Sequence, residues 1–385
     1  MEYILLSLME TGGFGPYAGH ALLCFIIVFG VQMMKKSSYN LDTFSYPPVW
    51  YLVLFSGFYV LLTTISISNI SAYFLAPIFA FMAGWCIMDM AKKNPEACMK
   101  KIFVAMIIGF AVHAVANSLY NQESSRSEIV DAFTGYILSA TCAGGVNTMS
   151  FSLLLYFVLE KKKSIKWLGF LCILISLWYA AILASRTQFV IIIAVFAVMF
   201  LFYLIENKNA YTTFKIIGVF IAGIVIISLI YYYDLFSLRT AVESSNMYLR
   251  MQQSQENSDS IRYERFFEGI VSLFEKPLGN PDSKYFHNFW LDIGRKAGIL
   301  PVFFMLCYSI ITTYHAIKIF KNKKVDRLVR FMILSVYLGF TINLFVEPAL
   351  EGMLDFVLTF MIINGAVERY FYSLAERKNA EVTIK

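Results

Sequence analysis

The residues of this chain best suited to chemistry are one histidine and a few arginines. His287 stands in YFHNFWLDIGRKAGILP (285–301) and is followed by Asn288. Histidine titrates near neutral pH, so it can orient a hydroxyl group or take its proton. Arg262 and Arg265 lie three apart in SDSIRYERFFEGIVSLFEKPLGN (258–280). On a helix that spacing projects both guanidiniums from one face, where paired N–H groups suit phosphate. Arg186, in ILASRTQFV, is a third cation. Glu347 and Glu351 flank a turn in NLFVEPALEGMLDF, with Asn343 one turn before them and Asp355 one turn deeper. Each candidate has a plainer reading. A histidine beside aromatics can be bonded locally, Arg265 can pair with Glu264 or Glu268, Arg186 can snorkel to headgroups, and Asp292 can pair with Arg295 or Lys296. The stretch 234–297 contains no HExxH, no His/Cys cluster and no DxD pair, so no metal and no cofactor are expected.

What must position these residues is a membrane bundle. Of 385 residues, 58% are hydrophobic and only 15% charged, with mean hydropathy +0.63. That leaves too little polar surface to cover a soluble core, so lipid is the implied solvent. About 20 apolar residues cross the hydrocarbon as a helix. Eleven runs qualify: 17–34, 47–67, 70–90, 102–120, 136–159, 167–184, 188–205, 216–233, 298–320, 328–347 and 353–371. They are continuously apolar rather than alternating, which predicts an all-α polytopic protein and not a barrel. If 3–9 also crosses, the count is twelve. The loops 35–36, 92–101, 160–166, 206–215 and 318–327, with the C-terminal tail, Arg330 and Arg369, hold 22 of the 32 basic residues. The positive-inside rule puts that side in the cytoplasm. The net charge of +6 arises mainly from these loops and is not a nucleic-acid signal. The six cysteines have no CxxC spacing and read as packing residues, and no removable signal peptide is expected.

The chain therefore reads as a single integral membrane domain, 1–385, with 234–297 as one large outer loop. Loops of that length are usually functional. Within it, 258–280 predicts an amphipathic helix, capped by Ser258, Asp259 or Ser260 and stopped by Pro277 and Gly279. Its Ile261, Phe266, Ile270 and Phe274 are expected to rest on the membrane or the bundle. Phe289 and Trp290 suit the interface, Arg295 and Lys296 are expected to snorkel to lipid phosphates, and 298–301 starts the next span. Asp89 is expected to pair locally with Lys92 or Lys93, and His113 with Asn117 to glue helices together.

Ser185-Arg186 at a tight outer turn, Arg262, Pro277-Leu278-Gly279-Asn280, His287-Asn288, Leu291 and Gly298-Ile299 follow one another in a telling order, with NLFVEP (343–348) late in the chain. In this order and topology the chain resembles the O-antigen polymerase and ligase superfamily, and Wzy-type polymerases most. The resemblance implies a GT-C-like helical fold and a metal-independent glycosyltransferase at the periplasmic face of the bacterial inner membrane. It implies joining of undecaprenyl-pyrophosphate-linked oligosaccharide repeat units into O-antigen or a related polysaccharide, with release of undecaprenyl pyrophosphate. Catalytic roles are implied for Arg186, Arg262 and His287. Arg265, Asn280, Asn288 and Glu347 are then candidates for holding pyrophosphate or glycan, and a chain-length regulator is an expected partner. Two alternatives stand beside it: a ligase transferring glycan to lipid A-core, and a lipid-linked oligosaccharide flippase. A flippase is expected to show internal repeats around a midplane site, and no clear repeat is evident.

Overall fold

The computed structural model describes residues 46–63, 66, 69–91, 94–121, 130–133, 135, 185–206, 228–235, 238–243, 259–281, 285–352 and 354–383, with isolated positions in 167–183, 214–225 and at 248. The side chains of Arg186, Ile261, Arg262, Glu351 and Asp355 lie outside that description. So do the expected spans 17–34 and 136–159, the segment 3–9, and most of 167–184 and 216–227.

Among the described residues the elements are helical. In chain order they are α1 (Pro47–Leu62), a π-helical turn (Ile70–Leu75) running into α2 (Ala76–Met90), α3 (Pro95–Tyr120), α4 (Arg186–Glu206), α5 (Leu238–Glu243), α6 (Asp259–Glu275), α7 (Phe289–Ala297), α8 (Ile299–Lys321), α9 (Arg327–Val346), the single turn α10 (Ala349–Gly352) and α11 (Leu354–Thr383). Among the described residues five helices are long and apolar enough to cross a membrane, Ala72–Met90, Pro95–Tyr120, Thr187–Glu206, Ile299–Lys321 and Arg327–Val346, with Pro47–Leu62 a shorter apolar one. The molecule is an α-helical membrane protein.

Local chemistry sets the helix starts. Proline stands in the first turn of α1, α2 and α3, where its missing N–H removes nothing. The Asn94 side chain accepts from Ala97 N at 3.2 Å, so α3 begins well before the apolar run expected at 102–120. The expected span 353–371 is α11, which differs from the others in carrying Asp355, Glu368 and Arg369 and in running on to Thr383.

The largest core cluster joins α1, α2, α3, α7, α8, α9 and α11. α2 and α11 make the closest pair, because Gly84 and Gly365 face each other's helix with no side chain between. A Cβ on Gly84 would overlap Ile362 O, and one on Gly365 would overlap Phe81 O. Small residues are what let membrane helices approach, since lipid supplies no hydrophobic drive between them. Gly365→Val is expected to force the pair apart at a cost of about 3 kcal/mol. Thermal unfolding of the detergent-solubilised protein reads this directly, and an unchanged transition would refute it.

The end of the bundle opposite His287 is tied by ion pairs. Glu206 at the close of α4 meets Arg330 at 2.6 Å and Arg327 at 3.2 Å at the start of α9. Lys100 of α3 meets Asp326 at 3.0 Å. Asp89 pairs with Arg369 at 2.7 Å across to α11, while Lys92 and Lys93, its expected local partners, lie outside the described residues. A guanidinium buried as deeply as that of Arg369 needs a counter-charge, and Asp89 supplies it. α4 and α9 thus run antiparallel, packed through Ile191, Val195, Met199 and Phe331. This brings the start of α4, at Arg186, to the end where α9 closes at Val346. His113 and Asn117 act as glue: Asn117 accepts from Ala132 N at 2.9 Å, and Tyr179 Oη lies 3.3 Å from His113 Nε2.

Candidate functional site

Two turns lock together beneath the candidate histidine. Gly279, in the turn after α6, has φ +93°, and Gly298, between α7 and α8, has φ +78°. Ile299 N donates to Pro277 O at 2.9 Å and Asn280 N to Arg295 O at 2.5 Å. A Cβ on Gly279 would stand 2.7 Å from Lys296 O, and one on Gly298 would overlap Pro277 O. Both positions therefore need glycine for backbone conformation and for closeness. Asn280, a sequence candidate for ligand contact, enters this lock through its backbone N–H.

His287 itself has φ +54°, a left-handed conformation rare outside glycine. What holds it there is Asp292, one turn into α7. Asp292 Oδ1 accepts from Phe286 N at 3.0 Å and Oδ2 from Asn288 N at 3.2 Å, so one carboxylate clasps the amides on both sides of the histidine. Arg295 Nε sits 3.3 Å from the same carboxylate, donates through Nη1 to Pro281 O at 2.9 Å, and lies 4.7 Å from the Tyr285 ring centre. Burial raises the Asp292 carboxyl above its ordinary range, against the lowering pull of the two amides and Arg295. By contrast, the partly exposed Asp234 is lowered by the Thr240 hydroxyl and the amides that it caps at the start of α5.

The structure corrects two expectations here. Arg295 does not snorkel: it is 4% exposed and spends its guanidinium on the clasp. Phe289 and Trp290 do not float at the interface either, being buried against the bundle, with Trp290 beside Phe345 at 6.0 Å between ring centres.

Asn288 caps α7, its side-chain oxygen accepting from Trp290 N at 3.0 Å and Leu291 N at 3.1 Å. Its Nδ2 donates to Phe345 O at 2.7 Å, pinning the histidine turn to the end of α9. Glu347 closes α9 two residues beyond that tie and is buried, its N–H bonded to Asn343 O at 3.0 Å. So the late NLFVEP patch and the HN pair, far apart in sequence, are in contact.

The arginine helix lies on the other side of α7. Gly269 of α6 faces Leu291 and Phe286, and Leu273 fills the space over Gly294. Arg265 stands one turn before Gly269 and, among the described residues, forms no ion pair with Glu264 or Glu268. The backbone of Arg262 lies on the same helix. The structure thus gathers His287, Asn288, Asn280, Glu347 and the arginine helix around α7, and brings Arg186 to the same end of the bundle. Sequence reasoning left Asp292 undecided and misplaced Arg295. The usable signal was an acid four residues after a capping asparagine, spaced to reach back to the cap's own N–H in the manner of a capping box. No protein-family model matches the chain, and no curated protein matches it.

Proposed function

We propose that the protein is a polysaccharide polymerase of the Wzy type, joining oligosaccharide repeat units carried on undecaprenyl pyrophosphate at the periplasmic face of the inner membrane. The observation that carries this reading is the clasped histidine. A non-glycine residue held left-handed costs on the order of 1–2 kcal/mol, and such strain is retained where the side chain is needed. The acceptor sugar's hydroxyl oxygen forms a bond to the donor's anomeric carbon while the bond from that carbon to the pyrophosphate oxygen breaks. His287 orients the acceptor hydroxyl and receives its proton. Arg186, Arg262 and Arg265 offset the charge that grows on the departing pyrophosphate, the electrostatic part of the barrier. Asn288 and Asp292 are positioning residues, and Glu347 packs beside them at the edge of the site. The GT-C-like fold is part of this reading through the family resemblance, and the outward orientation is supported by the distribution of basic loops.

The test separates fold from chemistry. In a deletion strain, complementation with His287→Gly is expected to give protein at normal membrane levels, with stability equal to or about 1 kcal/mol above the parent because glycine relieves the strained φ. It is nevertheless expected to leave lipopolysaccharide core capped by a single repeat unit. Full-length polymer from His287→Gly would overturn the catalytic assignment. Bare core with accumulated lipid-linked polymer in the deletion strain would move the reading to a ligase.

A further inference from the structure

α6 has two apolar faces, and among the described residues only one of them meets protein. Gly269 and Leu273 pack on α7. Phe267, Val271, Phe274 and Leu278, spaced four, three and four apart, are 64%, 52%, 71% and 67% exposed. Such spacing stacks Phe267, Val271 and Phe274 in one stripe along the helix, and Leu278 prolongs it in the turn just beyond Glu275. Of the residues that the sequence pattern picked out, Phe274 lies in this stripe, Phe266 is also exposed and Ile270 is partly buried, while Phe267 and Val271 are added by the structure. Glu264, Glu268 and Glu275 border it along one margin.

Where the stripe ends decides what covers it. The backbone of Leu278 lies directly against Gly298, at the head of α8. From there α8 continues with Leu300, Phe303, Leu306 and Ile310, all exposed, on a helix long and apolar enough to cross a membrane. The stripe of α6 is therefore continuous with an apolar surface that only lipid can solvate.

We infer that α6 is an in-plane interfacial helix whose Phe267–Val271–Phe274–Leu278 stripe is seated in the acyl-chain boundary of the leaflet at the His287 end of the bundle. An amphipathic helix lying in that plane sinks roughly 5–10 Å into the boundary. Its acidic margin faces the headgroup water, so the seat is apolar and does not depend on anionic lipid. The seat also fixes the height of Arg262 and Arg265 at the level of lipid-borne phosphate; that consequence alone rests on the glycosyl-transfer reading.

The experiment uses the full chain with Phe274→p-azidophenylalanine, reconstituted in phosphatidylcholine vesicles and irradiated. The expected product is a protein–phosphatidylcholine adduct by intact mass, at least fivefold more abundant than for Glu268→p-azidophenylalanine on the acidic margin. A cross-link to a second copy of the chain, or equal adduct at both positions, would overturn the inference. A second arm, Phe267→Ser with Phe274→Ser, is expected to lower polymer length in cells. If the adduct forms and polymer is unchanged, the seat stands and its link to glycosyl transfer falls.

Discussion

Asp292→Ala is expected to abolish polymer formation and to lower stability by about 3–5 kcal/mol. The number follows from what the substitution strands. Phe286 N and Asn288 N each lose their acceptor inside the protein, at about 1–3 kcal/mol apiece. Arg295, 4% exposed, loses its counter-charge as well. With neither flanking amide held, the clasp no longer keeps His287 at φ +54°. Asp292→Asn is the milder variant, since it keeps one acceptor and burial already favours the neutral carboxyl. The two should therefore rank Ala below Asn below parent in melting temperature while both fail in polymer formation. The sign of the pH effect follows from the raised carboxyl. A group whose folded value lies above its unfolded one contributes stability in acid and withdraws it as pH rises through the folded value. Acidification should thus loosen the clasp without costing stability through this group. A polymer-competent Asp292→Ala protein would remove the clasp from the mechanism.

The membrane class was legible because continuous apolar runs have one physical solution, and α8 and α9 fall almost where hydropathy placed them. The end of α6 was legible too, since Pro277 and Gly279 stop it just after Glu275. Side-chain direction was not. Arg295 and Lys296 are neighbours of like charge beside a span, and pattern alone sends both to the lipid. Which one turns inward depends on Asp292 and Pro281 O, and Pro281 lies fourteen residues upstream. The same holds for the Asn288–Phe345 bond, which crosses 57 positions and converts two weak motif patches into one site. Arg369 and Asp89 were both visible as charges at helix ends, yet their pairing spans 280 positions and only the α2–α11 crossing creates it.

Glu368→Ala is expected to be the most destabilising single change at the opposite end of the bundle, at about 3–5 kcal/mol. Glu368 is fully buried on α11, and its Oε2 lies 2.8 Å from His315 Nδ1 of α8. His315 stacks on Phe371 at 4.1 Å and 11°, so its ring cannot swing to another partner without losing that contact. One helical turn from Glu368, Asn364 donates to Tyr308 Oη at 2.9 Å, which makes a short polar ladder between the same two helices. Polar groups at membrane depth are often functional, but this ladder is far along the helices from His287 and its bonds join α8 to α11. A tie between helices accounts for it. Alanine would leave the imidazole with no partner in an apolar surround, whereas Glu368→Gln keeps an acceptor and should cost about 1 kcal/mol. The double variant Glu368→Leu with His315→Phe should recover most of the loss, because apolar packing can replace a buried pair when both partners go together. Specific activity per folded molecule should be unchanged in all three. Loss of activity in the well-folded double variant would show that the pair does more than hold α8 to α11.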